Sequence, residues 1–377
     1  MTSTGRRILL SPPDAGEIER AMLLAAFDSG WVTPAGPELA AFEAELCEAT
    51  GRAHCVVLSS GTAALHLALL GVGVRAGDDV LVSDLTFGAS AFAATYVGAR
   101  PCFVDADPLT WQIDVALLGG ELKRRAARGD LPAAVVAVDL YGAMADGDAL
   151  ADVCAQYGVP LIEDAAESLG ARRSANTGGG YGVAAVLSFN GNKIVTTGGG
   201  GALVSDDGDL VERARYLSTQ ARQPVAWYEH ADIGFNYRMG SLNAAVGRGQ
   251  LRTLAERIAA RREVRAAYVS RLGGLEGVTF QEAGAGSQPN HWLTTVQIDR
   301  AGVTPSVLVE RLSSQGIEAR HGFKPMHLQP VFAGHPVIGG AVAAHHFATA
   351  ISLPTGRHIG VDDIERICAV IVETCAG

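Results

Sequence analysis

The sequence lacks an excess of positive charge. It has 30 lysine and arginine residues against 40 aspartate and glutamate residues, which gives a formal net charge of −10 at pH 7. Proteins that bind nucleic acid on their own present a basic surface, so this charge argues against nucleic acid as a partner. Charged residues of either sign make up only 19% of the chain, which argues against disorder.

Long apolar runs are missing as well. Runs such as Ala133 to Val138, which stops at Asp139, fall far short of the roughly 20 residues of a membrane-spanning helix. Near the N-terminus the apolar segment 8–10 is too short for the core of a signal peptide. The sequence therefore predicts a soluble, cytoplasmic protein with no membrane partner.

Paired cysteine motifs are absent too. The six cysteines stand at positions 47, 55, 102, 154, 368 and 375, without a Cys-x-x-Cys spacing, and we interpret them as reduced core thiols. The pairs His345/His346 and His321/His327 have no carboxylate or cysteine at ligand spacing. We therefore expect no metal site.

Short β-rich runs alternate with helical patterns from residue 55 to residue 205. This alternation requires crossover connections, and it predicts an α/β fold whose mostly parallel sheet is covered by helices on both faces. The predicted strands are Cys55–Leu58, Asp79–Ser83, Arg100–Asp105, Ala133–Val138, Val159–Glu163, Val183–Phe189 and Gly201–Ser205. The predicted helices are Thr62–Leu70, Ala89–Val97, Asp114–Arg128 and Asp146–Tyr157.

The pattern changes after Gly240. A single long helix is predicted over Ser241–Leu272, followed by a strand at His291–Ile298 and helices at Thr304–Gln315 and Val361–Cys375. A chain of 377 residues is long enough for two or three domains. We predict a large domain over residues 1–250 and a smaller α+β domain over residues 251–377.

The first candidate site is the run Ser-Ser-Gly-Thr-Ala-Ala at residues 59–64, which follows a predicted strand and opens a helix. Free amides at a helix N-terminus attract an anion, and small side chains let a phosphate approach the backbone. The run is neither a Walker loop nor a G-x-G-x-x-G fingerprint. It predicts a phosphate site, and an ordinary capped helix is the alternative.

Two further candidates follow buried strands. Asp164 ends the apolar run that starts at Val159, at the edge of the sheet where open α/β folds bind ligands, although an acid there also caps helices. Lys193 lies in a turn between two strands, beside the glycine run 198–201. A desolvated lysine can attack a carbonyl to form a Schiff base. A phosphate seat, a carboxylate and an amine together meet the three needs of pyridoxal 5'-phosphate (PLP).

The chain resembles the DegT/DnrJ/EryC1/StrS family of PLP-dependent nucleotide-sugar aminotransferases over nearly its whole length. The matching segments are FDSGWVTPAGPELAAFE, SSGTAALHLAL, DLTFGASAFAATYVGARPCFVDAD, VDLYG, LIEDAAESLGA, SFNGNKIVTTGGGGALVS, GFNYRMGSLNAAVG and FKPMHLQPVF. The resemblance implies a fold type I transferase with a seven-stranded, mostly parallel sheet. The GNK and TTGGGG segments look most similar to 4-aminotransferases of the bacillosamine and perosamine type.

The resemblance also implies a role for each site residue. Lys193 would bind the cofactor aldehyde and move protons, while Asp164 would pair with the pyridine nitrogen. Glu167 would approach the ring hydroxyl, where many relatives have Gln, and Phe87 would stack on the ring. The phosphate would contact Gly61, Thr62, Ala63 and Ser188, together with Asn236 from a neighbouring subunit, which makes a homodimer with shared active sites.

The resemblance places the substrate near Arg320, Lys324 and His327. Two departures concern this region: Gly198–Gly201 replaces the Gly-Glu-Gly-Gly of many relatives, and the Trp that often precedes Lys-Pro is absent before Lys324. Both bear on the sugar and leave the cofactor residues unaffected.

The implied reaction is a two-step transamination. L-glutamate would leave its amino group on the cofactor as pyridoxamine 5'-phosphate and depart as 2-oxoglutarate, and the C4 ketone of a UDP-, dTDP- or GDP-linked 4-keto-6-deoxy sugar would then receive that group. Amination of a C3-keto sugar or a cyclitol ketone is the alternative. Lys193 and Asp164 argue against a 3-dehydratase and against a non-catalytic PLP-binding regulator.

Overall fold

The computed structural model describes residues 6–376, in which helices and strands alternate through most of the chain. Residues 1–5, which belong to the N-terminal segment considered above, lie outside the described residues. None of the described helices is both long and apolar enough to cross a membrane. The helices are α1 (Glu17–Asp28), α2 (Pro37–Thr50), α3 (Gly61–Gly71), α4 (Gly88–Tyr96), α5 (Val115–Ala126), α6 (Gly147–Ala155), α7 (Gly208–Ser218), α8 (Ser241–Arg252), α9 (Leu254–Leu272), α10 (Pro305–Ser314), α11 (Ala341–Thr349) and α12 (Val361–Ala376).

The strands form one large sheet, one small sheet and one short hairpin-based sheet. The strands are β1 (His54–Leu58), β2 (Asp79–Ser83), β3 (Arg100–Val104), β4 (Ala134–Val138), β5 (Leu161–Asp164), β6 (Arg172–Arg173), β7 (Asn176–Thr177), β8 (Ala184–Ser188), β9 (Gly201–Ser205), β10 (Val278–Phe280), β11 (Ser287–Gln288), β12 (Thr294–Ile298), β13 (Arg320–His321), β14 (Val337–Ile338) and β15 (Ala350–Leu353).

The large sheet has eight strands in the order β1-β9-β8-β5-β4-β2-β3-β14. All seven predicted strands are present, and within this sheet β9 alone runs against the others. Both faces are buried, because alternate residues of a strand such as β1 enter different apolar cores. The predicted mostly parallel α/β sheet is therefore confirmed.

The prediction of seven strands was wrong by one. The eighth strand, β14, comes from the C-terminal part of the chain and pairs in parallel with Phe103 and Val104 of β3. It contains only Val337 and Ile338. A segment of two residues is too short to show an alternating pattern or an apolar run in the sequence. The strand is therefore recognised only by its backbone pairing with β3.

The smaller sheet has the order β10-β12-β15-β13 and is antiparallel. Apolar side chains of α9, α10 and α12 pack with it in a separate core. Ile8 belongs to this core although it lies near the N-terminus, and it forms an isolated bridge with Ile317. The division at residue 250 remains a prediction.

The single long helix predicted over Ser241–Leu272 was wrong, because the structure contains two helices. Thr253 separates α8 from α9 with φ −112° and ψ 12°, which is not helical. Its hydroxyl accepts a hydrogen bond from Arg257 Nε at 3.0 Å. Because only one residue departs from the helical conformation, the apolar periodicity of the sequence does not reveal the break.

The six cysteines are free thiols, as predicted. Five of them are buried, and Cys47 is partly exposed. Cys375, which stands near the end of α12, is one of the five buried thiols. The thiols therefore contribute to apolar packing.

An ion pair at the amino-terminal edge of the large sheet joins β2, β3 and α5. Asp79 Oδ1 accepts from Arg100 Nε at 2.7 Å, and Asp79 Oδ2 accepts from Arg125 Nη1 at 2.7 Å. Burial by itself would raise the pKa of Asp79, but the hydrogen bonds from Arg100 and Arg125 outweigh it and lower the pKa to about 2. The charged form of Asp79 therefore stabilises the fold.

We expect Asp79→Asn to lower the free energy of unfolding by about 1 kcal/mol at pH 7, because it removes a pair that water partly screens. A lowered pKa stabilises the fold above the unfolded-state pKa, so the loss should stay constant down to about pH 4 and shrink as the pH falls towards 2. Urea unfolding at pH 7, 4 and 3 measures it. Asp130→Asn, at an exposed neighbour, is the control, and an equal loss in both variants would contradict this expectation.

Candidate active site

A cavity of about 560 Å³ opens at the carboxyl ends of the parallel strands, between the large and small sheets. Its wall includes Asp164 at the end of β5, Lys193 in the β8–β9 loop, and Trp292 just before β12. Ligands of open α/β folds bind at this edge because successive loops meet there. Most of the predicted site residues line this cavity: Gly61, Thr62, Phe87, Asp164, Glu167, Ser188, Lys193 and Arg320.

The N-terminus of α3 forms one end of the cavity. Ser60 caps the helix, with its hydroxyl accepting from Ala63 N at 3.0 Å. Gly61 and Thr62 line the cavity in the first turn, whose amides have no partner within the helix. Ala63, which was predicted with them, is buried behind the wall and donates its amide to Ser60.

Glycine at this end brings two backbone segments together. A Cβ on Gly61 would lie 3.0 Å from Ser188 Cβ, and a Cβ on Gly201 would lie 2.4 Å from Gly61 N. A larger side chain at either position would push β8 or β9 away from the helix. The close packing places the Ser188 side chain beside the first-turn amides, as a donor group for an anion.

Asp164 forms the floor of the cavity. Its Oδ2 accepts from Ser90 Oγ at 2.7 Å and its Oδ1 accepts from Ala166 N at 3.2 Å. The side chain is almost completely buried, and burial raises the pKa of Asp164 against the opposing effect of the Ser90 hydrogen bond. A cationic N–H partner in the cavity would favour the charged carboxylate.

Lys193 lies between a carboxylate and an aromatic ring. Its Nζ is 3.3 Å from Glu167 Oε1 and 3.9 Å from the ring centroid of Trp292. The lysine side chain is 12% exposed and that of Glu167 is 3% exposed, so the amine is held inside the cavity wall. Burial raises the pKa of Glu167, and the charge of Lys193 opposes this effect.

Glu167 also fixes the neighbouring loop. Its Oε2 accepts from the backbone N of Tyr141 at 2.7 Å. Tyr141 has φ +59°, a strained conformation for a residue with a side chain. The Tyr141 hydroxyl accepts from Phe323 N at 3.0 Å, and the Tyr141 and Phe323 rings are stacked. The carboxylate thus connects the lysine to residues of the C-terminal segment.

Phe87 faces the cavity opening. Its side chain is 64% exposed, although it precedes a buried helix. Its ring centroid is 6.5 Å from that of Phe323, which lines the same cavity. An aromatic ring left open in a cavity is suited to stack on a flat ligand.

Besides Ala63, three predicted residues do not line the cavity of this chain. Asn236 lies in the exposed segment after α7, where its Oδ1 accepts from Gln220 Nε2 at 3.1 Å. His327 N donates to Asp84 Oδ1 at 3.0 Å, and its ring is also paired with that buried carboxylate. Lys324 stands beside the cavity without lining it. Arg320 lines the rim and pairs with Glu318 at 2.9 Å.

Sequence reasoning missed Ser90, Trp292 and Phe323. Ser90 follows Phe87 by three residues, and one turn of α4 carries its hydroxyl to Asp164. Trp292 fell inside a predicted strand, but β12 begins at Thr294 and the indole turns towards the lysine. An aromatic residue just before a strand was the only local signal for it.

The profile of the DegT/DnrJ/EryC1/StrS aminotransferase family matches residues 13–372. EpsN of Bacillus subtilis (strain 168), assigned as a pyridoxal phosphate-dependent aminotransferase, is 41% identical over 97% of this chain and 95% of its own length. GDP-perosamine synthase of Caulobacter vibrioides is 35% identical, with 97% of each chain covered.

Solved structures show the same fold. The aminotransferase TlmJ from Streptoalloteichus hindustanus superposes with a TM-score of 0.91 at 29% identity, covering 98% of this chain and 99% of that chain. The structure of DesI in the presence of its TDP-sugar product superposes with a TM-score of 0.89 at 30% identity, covering 97% of this chain and 92% of that chain. With this fold and these relatives, the chain belongs to the DegT/DnrJ/EryC1/StrS aminotransferase family.

Proposed function

We propose that this chain transfers an amino group from L-glutamate to the C4 ketone of a nucleotide-linked 4-keto-6-deoxy sugar. Membership of the family makes it a PLP-dependent sugar aminotransferase; the amino donor, the position of amination and the acceptor sugar are the proposed part. The observation that carries the proposal is the buried amine of Lys193, which shares one cavity with Asp164 and the N-terminus of α3.

The residues of the cavity fit PLP. A buried carboxylate at Asp164 suits the protonated ring nitrogen, and the first-turn amides of Gly61 and Thr62 with the Ser188 hydroxyl suit the phosphate. Phe87 would cover the ring face, and Lys193 would hold the aldehyde. When bound, PLP supplies an electron sink for the carbon that carries the transferred nitrogen.

The chain itself supplies the proton transfers. Lys193 Nζ would move one proton in each half of the reaction: from the α-carbon of glutamate to the cofactor carbon C4′ in the first half, and from C4′ to C4 of the sugar in the second. Asp164 would pair with the N–H of the cofactor ring and keep the ring nitrogen protonated. Glu167 orients Lys193 from 3.3 Å. Because the side chain of Lys193 is largely buried in the cavity wall, water has limited access to the reacting amine.

The sugar position rests on family features. The GNK and TTGGGG segments resemble perosamine-type 4-aminotransferases, and a GDP-perosamine synthase is among the relatives. Arg320 at the cavity rim is the cation that we assign to the diphosphate or to the donor carboxylate. Lys324 and His327 follow Arg320 along the chain, and we propose that the nucleotide lies towards this segment.

We also propose that two copies share their active sites. Asn236 is outside the cavity of its own chain, and the segment around it exposes Trp227, Tyr228 and Ile233, which are 63%, 80% and 89% exposed. Exposed apolar side chains at this density mark a contact surface. The partner subunit's Asn236 would then reach the phosphate seat.

The chemistry is tested by incubating the protein with PLP, glutamate and a panel of nucleotide-linked 4-keto and 3-keto sugars. We expect a 4-amino product by NMR and the release of 2-oxoglutarate. Lys193→Ala should lower kcat by about 1,000-fold or more, because the proton-transfer group is lost. Conversion of the 3-keto sugars alone would overturn the C4 assignment, and parental turnover by Lys193→Ala would overturn the role of the lysine.

Sharing of the active sites is tested by mixing subunits. Lys193→Ala and Asn236→Asp proteins should each be nearly inactive, the second because it places a negative charge beside the phosphate. After unfolding and refolding together, roughly a quarter of the wild-type activity should return, since half of the dimers are mixed and each has one intact site. Steady-state assays measure the recovery. No recovery in a mixture that forms dimers by light scattering would show that each site is built from one chain.

A further inference from the structure

We propose that Trp292 is a positioning residue for Lys193. Its indole face contacts the amine and holds it in place whenever the amine is not bound to the cofactor. The proposal rests on the proposed function, because that function requires Lys193 to be released and then reused as base and acid. It concerns a residue of the C-terminal half of the chain, 100 positions away from the lysine loop that it contacts.

The first support is the position of the amine. Lys193 Nζ lies 3.9 Å from the ring centroid of Trp292, well inside the distance at which an ammonium is attracted to an aromatic face. Glu167 Oε1 contacts the same Nζ at 3.3 Å. Indole is the strongest aromatic partner for a cation, and this one is only 3% exposed yet lines the cavity.

The second support is that Trp292 is tied to the lysine loop itself. Its Nε1 donates to the backbone O of Asn192 at 2.7 Å. Asn192 immediately precedes Lys193, so this bond sets the start of the lysine side chain while the ring contacts its end. One residue therefore restrains both ends of the catalytic side chain.

The third support is that the same segment holds Glu167. Asn290 Oδ1 accepts from Trp292 N at 2.7 Å, and Asn290 Nδ2 donates to Glu167 O at 2.8 Å and to Leu169 O at 3.0 Å. His291, between Asn290 and Trp292, has φ +52°, an uncommon conformation that bends the backbone there. The two groups that contact the amine are thus fixed relative to each other.

This arrangement has a direct consequence for proton transfer. Such transfers need the base within hydrogen-bond reach of the reacting carbon, and a displacement of about 1 Å can cost about 100-fold in rate. A free lysine side chain has several rotatable bonds and would spend much of its time away from the reacting atoms. A ring face behind the amine, together with Glu167 beside it, limits the volume that Nζ explores.

Two substitutions separate the parts of this contact. Trp292→Phe keeps an aromatic face and loses the indole N–H, whereas Trp292→Leu loses both. The difference between them isolates the ring face, because the bond to Asn192 is absent in each. If the leucine protein does not fold, as judged by thermal unfolding, Trp292→Met replaces it.

The first measurement uses cofactor-free full-length protein. The sequence contains three lysines, Lys123, Lys193 and Lys324, so reductive methylation can be followed for each by peptide mass spectrometry. With the exposed Lys123 of α5 as the internal reference, the relative rate at Lys193 should rise about fivefold in Trp292→Leu and stay within about twofold of wild type in Trp292→Phe. An unchanged ratio in Trp292→Leu would overturn the proposal.

The second measurement uses the protein with PLP. Trp292→Leu should lower kcat by about 10-fold while the KM for glutamate stays within about twofold, since the amine is displaced and the donor contacts are kept. Trp292→Phe should lose less than about threefold. Equal losses in both variants, or a loss expressed only in KM, would overturn the positioning role.

Borohydride reduction distinguishes failure of this proposal from failure of the proposed function. Wild-type protein and both variants should acquire one reduced cofactor on Lys193 and none on Lys123 or Lys324. If Lys193 is labelled and kcat is unchanged in Trp292→Leu, the positioning role of Trp292 is overturned and the proposed function is retained. Absence of labelling in the wild type overturns the function, and with it the proposal.

Discussion

The carboxylate of Glu167 is the contact on which the site depends. One of its oxygens contacts the amine of Lys193 and the other accepts from the backbone N of Tyr141. The backbone carbonyl of Glu167 accepts from the Asn290 side chain. These three partners come from the β8–β9 loop, the turn after β4 and the segment before β12. A single buried acid therefore aligns two loops of the large sheet with the smaller sheet, and its burial is tolerated because each oxygen is bonded.

The distribution of charge explains how an acidic protein can hold anionic ligands. The chain carries a net charge of −10. Two of its acids, Asp164 and Glu167, are buried at the floor of the cavity. The opposite end of the cavity presents helix amides and hydroxyl groups, and the rim carries Arg320. An anion in this cavity would therefore be bound by local dipoles and single cations, while the carboxylates of the floor would favour a protonated ring nitrogen.

Glycine has a defined place in this arrangement. A Cβ on Gly200 would lie 2.5 Å from Thr197 Oγ1, and a Cβ on Gly178 would lie 2.1 Å from Ser168 O. The glycine runs Gly178–Gly180 and Gly198–Gly201 therefore let the lysine loop and the loop after Glu167 pack closely against their neighbours. These contacts account for some of the 46 glycines of the sequence.

Local sequence was enough for the α/β fold and for the positions of Asp164 and Lys193, because alternating strands and helices bring every strand end to one edge. It could not supply contacts between distant segments. Ser90 meets Asp164 across 74 positions, and Trp292 meets Asn192 across 100. His327 meets Asp84 across 243 positions. Such contacts arise from the packing of whole elements, which neither periodicity nor a short motif encodes.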